Sequence, residues 1–269
     1  MRHRSALSFS LVASLLMLFG CGASSSFDEA VTSLLEEEVV AFKRYPFMTA
    51  YVETAEGEVL VSSVVANPQF YGDAKGPGVD DWMRIWSMSK LVTIVLALDL
   101  AEDGVFSLED EAADYLPELA TLKVARPLSG GTMSEASAQS YELNATEDRG
   151  QSACDFSLES PSRAMTIRDL MVHTAGFYYA TTNLPCLDEA QAALELPLAT
   201  SGDEWIHGIS ALPLIQSPDE GYYYGLNTTV LGFLMERATG KSLQMLLEER
   251  VLNPYDIEGL TFLLPESAV

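Results

Sequence analysis

The stretch Met83–Lys90 reads M-R-I-W-S-M-S-K and places Ser87 three residues before Lys90. A helical pattern begins here and stops at Gly104, a residue type that commonly ends helices. Residues three apart lie on one helix face, with Cβ atoms ~5–6 Å apart. The sequence therefore predicts a serine hydroxyl and a lysine ammonium within reach of each other at the start of a helix.

The residues that follow Lys90 are almost entirely apolar. Leu91–Leu98 contains one polar residue, Thr93, and such a run is typical of a helix that is buried on every side. Burial lowers the pKa of a lysine, and the neutral amine can take a proton from Ser87 and make it a nucleophile. The helix N-terminus offers free N–H groups that stabilise the oxyanion that develops during the reaction. A capping serine followed by a lysine that extends to solvent gives the same spacing and is the alternative.

Other catalytic designs fit the sequence poorly. The G-x-S-x-G motif of α/β-hydrolases is absent. His173 and His207 are the only histidines after residue 20, and His173 lies before a turn glycine, so a packed or turn-capping role is expected for it. Three histidines and three cysteines are too few for a zinc module. We therefore expect neither a metal nor an organic cofactor.

Composition limits the class of protein. The chain has 269 residues, of which 48% are hydrophobic, so it can bury a substantial core. Its formal net charge of -24 repels phosphate backbones and argues against a nucleic-acid binder.

The first twenty residues have the pattern of an export signal. Two arginines precede the uncharged apolar run Ala6–Phe19, which is too short to span a bilayer. The run ends in L-F-G-C, which resembles a bacterial lipobox and predicts a signal peptide over 1–20, a lipid on Cys21 and a tether over 21–26. We expect a lipid-anchored protein of the bacterial cell envelope, at the periplasmic face of a membrane or the cell surface; an ordinary signal peptide with an incidental cysteine is the alternative.

Two cysteines, Cys154 and Cys186, remain after Cys21. An exported chain meets an oxidising compartment, so we expect a disulfide between them, worth roughly 3–4 kcal/mol by chain entropy. Two unpaired thiols are the alternative.

The remaining pattern predicts one mixed domain over residues 27–269. Residues 125–164 are rich in Ser, Ala, Gly and Glu and are expected to form an insertion. The predicted elements are a helix from a Ser26–Glu29 capping box to about Arg44, strands Phe47–Thr54 and Glu58–Val65, a short helix from Ser107 toward Tyr115, a helix capped by Thr166, a helix Val230–Arg237 that stops at Gly240, and a helix from Ser242 to about Asn253.

The stretch Met83–Lys90 resembles the F-R-I-x-S-M-T-K signature of the β-lactamase-related serine hydrolases, a family with class C β-lactamases, D-alanyl-D-alanine carboxypeptidases and related esterases. Further similar segments follow in the family's order, at 100–118, 165–177, 213–232 and 253–254. The resemblance implies an α/β (α+β) fold of the β-lactamase/transpeptidase-like type, with an antiparallel sheet flanked by helices and a mostly helical subdomain.

The resemblance also implies a third catalytic residue. The family's Y-x-N or Y-S-x motif supplies a tyrosine that acts with the lysine as a base and later protonates the leaving group. Its spacing from Pro218 and Gly232 identifies Tyr224. Tyr222 and Tyr223 are expected to pack in the core or cleft. Leu226 replaces the asparagine of class C β-lactamases, and the role of the adjacent Asn227 stays open.

The family's third motif, K-T-G or H-x-G, follows the region of Asn253, and nothing in residues 233–269 resembles it. The domain is therefore expected to be incomplete at its C-terminus, as a fragment or a truncated product.

The predicted function is that of an exported serine hydrolase that cleaves an ester or amide through an acyl intermediate on Ser87, activated by Lys90 and Tyr224. The expected substrates are a small-molecule ester, an amide or a β-lactam, with a peptidoglycan peptide as a further candidate. A penicillin-binding carboxypeptidase or β-lactamase is one alternative, and a non-catalytic lipoprotein binding module is another. The expected partners are the substrate and, through the lipid, a membrane, but no nucleic acid.

Overall fold

The computed structural model describes residues 24–71, 76–127, 156–179, 182 and 185–264. These residues belong to two compact units, one ending at Met83 and the other beginning at Arg84. The predicted signal peptide, Cys21, Cys154 and most of the predicted insertion lie outside the described residues. In the described ranges no helix has the length and apolar character needed to cross a bilayer.

The first unit is a helix packed on a β-hairpin. Its elements are α1 (Ser24–Glu36, continued by a π-helical turn Glu37–Ala41), β1 (Phe47–Glu53), β2 (Val59–Ala66) and α2 (Pro68–Tyr71). The strands are antiparallel, with Phe47 opposite Ala66, and they are joined by a turn in which Gly57 has a φ of 86°. Val39 and Val61 are fully buried, so the apolar face of the helical segment and one face of β2 form the core of this unit.

Both predicted strands are confirmed within two residues, but the predicted start of α1 is wrong. The helix begins at Ser24, inside the segment expected to be a tether, so Ser26 is not its N-cap. Serine has a moderate helix propensity, and a short run of serines can extend a helix whose following turns are stabilised by packing. Composition alone could not distinguish a serine tether from the first helical turn.

The second unit is mostly helical. Its elements are a 3₁₀ turn Trp86–Met88, α3 (Ser89–Glu102), 3₁₀ turns Ala112–Asp114 and Pro117–Thr121, β3 (Val124–Pro127), β4 (Phe156–Glu159), α4 (Ile167–Met171), α5 (Pro185–Ala193), a 3₁₀ turn Leu196–Leu198, α6 (Gly202–Ser210), α7 (Asn227–Thr239), α8 (Leu243–Leu247, continued by a π-helical turn Glu248–Leu252) and α9 (Asn253–Tyr255).

Helix α3 is buried on one face only. Leu96 and Leu100 are fully buried in a core that they share with residues of α7, among others. Leu91, Val95 and Leu98, at helical spacing on another face, are 69%, 45% and 47% exposed. The prediction that this helix is buried on every side is therefore wrong. The run is apolar on both faces, so periodicity could not indicate which face meets the core.

Two predicted boundaries in this unit also change. The ends of the expected insertion are ordered, because β3 pairs antiparallel with β4 and places Val124 opposite Glu159. The predicted helix from Ser107 is a turn instead, in which the Ser107 N–H donates to the carboxylate of Asp110 at 2.8 Å. Serine and aspartate favour such local side-chain bonds, which compete with helix formation.

The buried carboxylate of Asp169 fixes the loop that follows α4. The Thr166 cap predicted from sequence is confirmed, since its hydroxyl accepts from the Asp169 N–H and the Asp169 carboxylate accepts from the Thr166 N–H at 2.8 Å. The same carboxylate accepts two hydrogen bonds from Arg163, each 2.7 Å long, and one from the Thr174 hydroxyl. Burial raises the pKa of Asp169, but these donors outweigh it and leave the pKa below its usual value.

Replacing Asp169 by asparagine is expected to lower the free energy of unfolding by about 2–3 kcal/mol, because it leaves the guanidinium of Arg163 without its charged acceptor. Urea denaturation measures this change. The matched control is Glu109→Gln, which breaks the exposed ion pair with Arg168 and should change stability by less than about 1 kcal/mol. Equal losses in both variants would contradict the role assigned to Asp169.

Candidate active site

Ser87 lies in a strained turn at the entrance to α3. The preceding Trp86 has a φ of 49°, a left-handed conformation that is uncommon for a bulky residue and costs on the order of 1–3 kcal/mol. The turn is held by the Ser89 hydroxyl, which donates to the Trp86 carbonyl at 2.6 Å, and by the Met88 N–H, which donates to the Ile85 carbonyl. The result is an exposed serine in the first turn of a helical segment.

Lys90 lies one turn further along α3, and its ammonium faces Ser87. The Nζ atom is 3.3 Å from the Ser87 Oγ and 3.0 Å from the hydroxyl of Tyr179. It is also 4.9 Å from the ring centroid of Tyr224. The structure thus brings together the three residues that the sequence singled out, Ser87, Lys90 and Tyr224, and adds a second phenol.

Tyr224 is placed by an unusually close approach of two loops. The next residue is Gly225, where a Cβ atom would collide with the Phe177 carbonyl oxygen and lie 2.7 Å from the Tyr178 Cα. The Tyr223 N–H donates to the His173 carbonyl at 2.8 Å. Glycine is therefore required at position 225, because only a residue without a side chain lets the Tyr224 segment lie against the loop that ends at Tyr179.

His173 is packed behind the tyrosine, as the sequence suggested. Its ring is buried, lies 4.9 Å from the Tyr224 ring between centroids, and contacts Asn227 at 3.1 Å and Thr228 at 3.4 Å. Burial, together with the nearby charge of Lys90, lowers the pKa of His173 to about 4. The imidazole is neutral at ordinary pH and supports one side of the phenol.

Asn227 is a structural residue of this site. Its side chain is fully buried, and its amide donates to the carbonyls of Phe177 and Tyr223 at 3.3 and 3.2 Å. It is therefore not exposed to a substrate. Tyr223 is buried, as expected. Tyr222 is 60% exposed and makes a T-shaped ring contact with His173, so it packs at the surface of the site and not in the core.

The charges in the site differ from the sequence-based expectation. Burial lowers the pKa of Lys90, but the hydrogen bond that it donates to Tyr179 and its interaction with the Tyr224 phenol outweigh this effect and raise the pKa overall. Burial raises the pKa of Tyr224, but hydrogen bonds with Ser87 and Lys90 and the lysine charge lower it overall. The argument that Lys90 becomes a neutral base is therefore wrong. The arrangement favours a charged ammonium beside a phenol whose pKa is below its ordinary value.

Tyr179 is the site residue that sequence reasoning missed. It follows the segment His173–Gly176, which the sequence marks by its turn glycine and by the family resemblance of residues 165–177. Eighty-nine residues separate Tyr179 from Lys90, so helical or strand periodicity could not connect them. The available signal was the run of three aromatic residues, Phe177–Tyr179, directly after this turn.

One of the two cysteines of the predicted disulfide lies in the described part of the chain. Cys186, on α5, forms a disulfide, and the other cysteines of the chain, Cys21 and Cys154, lie outside the described residues.

In the described part of the chain, no group of three His, Cys, Asp or Glu side chains is arranged to hold a metal. A cavity of about 250 Å³ borders Lys90 and is lined by residues of α3 and α7 and by Phe262.

The known proteins with related sequences include acyltransferases and an esterase. The chain is 29% identical over 188 residues to monacolin J acid methylbutanoyltransferase of Aspergillus terreus, a match that covers 70% of this chain and 40% of the transferase. It is 26% identical over 194 residues to lovastatin esterase of Penicillium rubens, which covers 71% of this chain and 42% of the esterase. The chain therefore spans about two fifths of the length of these relatives.

A class C β-lactamase structure superposes with a TM-score of 0.58 at 13% sequence identity, covering 93% of this chain and 55% of that one. This likeness confirms the predicted α/β fold of the β-lactamase/transpeptidase-like type. The family model described as Beta-lactamase matches residues 64–269. The chain belongs to the Beta-lactamase family, with serine hydrolases and acyltransferases as its relatives.

Proposed function

We propose that the protein transfers acyl groups from an ester through a covalent intermediate on Ser87. The observation that carries this proposal is the contact of a single ammonium, that of Lys90, with the Ser87 hydroxyl at 3.3 Å and with phenols. A serine with a base in hydrogen-bond reach, itself oriented by a third group, is the arrangement that nucleophilic catalysis requires.

Tyr224 is the proposed base, and the charge of Lys90 favours its ionised form by lowering its pKa. The Tyr224 phenolate takes the Ser87 proton as Oγ bonds to the substrate carbonyl carbon. The tetrahedral adduct then breaks its bond to the alcohol oxygen, which receives the proton from Tyr224. Water or a second alcohol attacks the acyl-serine and gives its proton to Tyr224. The second adduct then breaks its bond to the Ser87 Oγ, which takes that proton back from Tyr224 as the acid or a new ester leaves. The Ser87 N–H, in the first turn of its helix, is the proposed oxyanion donor.

An ester is favoured over a β-lactam as the substrate. Leu226 occupies the position of the class C asparagine, and Asn227 cannot replace it because its side chain is buried and bonded to backbone carbonyls. The two related proteins named above are a methylbutanoyltransferase and an esterase. Product analysis with and without an added alcohol shows whether water or the alcohol accepts the acyl group.

The location of the protein is also a proposal. The arginines and apolar run of residues 1–20 and the following Cys21 support export and lipid attachment at the bacterial cell envelope. Radiolabelled palmitate incorporated by the wild type and lost in Cys21→Ala would support this proposal, and unchanged incorporation would contradict it.

A fluorophosphonate probe is expected to label Ser87, because only an activated serine reacts rapidly with it. Intact-mass and peptide analysis measure the increment. Ser87→Ala should lose the label and ester hydrolysis together. The matched control is Ser210→Ala, which removes a hydroxyl that donates to the Ile206 carbonyl of its own helix, and which should keep both.

Two outcomes decide the proposal. Labelling or p-nitrophenyl ester hydrolysis that persists in Ser87→Ala would exclude Ser87 as the nucleophile. Turnover of nitrocefin at a rate comparable to ester hydrolysis would move the assignment to a β-lactamase.

The activity should depend on pH through Tyr224 and Lys90. Since the pKa of Tyr224 is lowered and that of Lys90 is raised, kcat/KM should rise as Tyr224 ionises and fall at higher pH as Lys90 loses its proton. Tyr224→Phe should reduce kcat about 10²–10⁴-fold, whereas Tyr255→Phe, on exposed α9, should match the wild type. A profile that falls from neutral pH upward would contradict the assignment of the base.

A further inference from the structure

We propose that Tyr179 is a positioning residue, whose hydroxyl holds the Lys90 ammonium at a fixed place between Ser87 and Tyr224. This inference rests on the proposed function, in which Lys90 supports the base without taking the proton itself. It assigns a separate task to the second phenol of the site.

The ammonium of Lys90 lies among three hydroxyl-bearing side chains. It donates to the Ser87 Oγ at 3.3 Å and to the Tyr179 hydroxyl at 3.0 Å, and it lies 4.9 Å from the ring centroid of Tyr224. Its pKa is shifted by its own burial and by the two phenols, with no carboxylate among the causes. Among the described residues, Tyr179 therefore accepts the shorter of the two hydrogen bonds that the ammonium donates.

The two phenols differ in what else they contact. The Tyr224 phenol interacts with Ser87 as well as with Lys90, and both interactions lower its pKa, so in the proposed mechanism it exchanges a proton with the nucleophile. The Tyr179 hydroxyl bonds, among the described residues, to Lys90 alone. Its ring lies 5.9 Å from the Tyr224 ring between centroids and 5.7 Å from the Lys90 Nζ. Tyr179 is thus placed to hold the ammonium but not to deprotonate Ser87.

The loop that carries Tyr179 is firmly anchored. Gly176 has a φ of 94°, and its carbonyl accepts from the Ile215 N–H at 3.1 Å. Phe177 and Tyr178 are 3% and 2% exposed, in the hydrophobic cores of this unit. A rigid support of this kind matters because a lysine side chain has four rotatable bonds and is poorly positioned by its own backbone.

Tyr179→Phe keeps the ring and removes the hydroxyl. We expect kcat to fall about tenfold, the usual size for a lost hydrogen bond to a charged group, with KM changed less than twofold. The hydrogen bond of Tyr179 raises the pKa of Lys90, so its loss should move the alkaline limb of the kcat/KM profile to lower pH. Tyr179→His, which returns a hydrogen-bond acceptor, should recover part of kcat and of the alkaline limb.

Tyr178→Phe is the matched control. It removes the hydroxyl of the adjacent tyrosine, which is buried and has no hydrogen-bond partner among the described residues, so its pH profile should coincide with that of the wild type. Thermal unfolding of each variant identifies any loss of fold. If Tyr179→Phe is unfolded, the kcat and the alkaline limb of Tyr179→His test the positioning role instead.

The possible results separate this inference from the proposed function. A wild-type profile for Tyr179→Phe, or a loss confined to KM, would overturn the positioning role while Ser87→Ala still abolishes activity. Activity retained in Ser87→Ala would instead overturn the proposed function itself.

Discussion

The site depends on one positive charge held among hydroxyl groups. Lys90 has no acidic partner among the groups that shift its pKa, and its charge is stabilised by phenols and by the Ser87 hydroxyl. A charge in a partly buried place strengthens every hydrogen bond that points toward it. The ammonium therefore lowers the pKa of Tyr224, which is why the proposed mechanism takes the phenol rather than the amine as the base.

The surrounding structure serves this arrangement mainly by bringing two loops into contact. The loop that follows α4 is tied down by the buried carboxylate of Asp169, which bonds to Arg163 and Thr174. The loop that precedes α7 lies against it because Gly225 has no side chain. Neither Asp169 nor Gly225 has a contact to Ser87, yet together they fix the distance between the two phenols and the helix that carries the serine.

Sequence reasoning identified several of the elements and most of the candidate site for physical reasons. Caps such as Thr166 and Ser242 are local, and a serine and lysine three residues apart on a helix must share a face. Tyr224 came only from the family resemblance. The net pKa of Lys90 and the part played by Tyr179 could not be predicted, because both depend on loops distant in sequence. The exposure of one face of α3 could not be predicted, because apolar residues lie on both the buried and the exposed face of this helix.

The neutral imidazole of His173 makes the site sensitive to acid. Its pKa of about 4 lies below the ordinary value of 6.5. Between these pH values, His173 is therefore protonated in the unfolded chain but neutral in the native state. By linkage the native state loses stability as the pH falls through this interval. When the ring becomes protonated, its charge is buried and is repelled by the nearby ammonium of Lys90, so protonation of His173 disfavours the folded arrangement of the site.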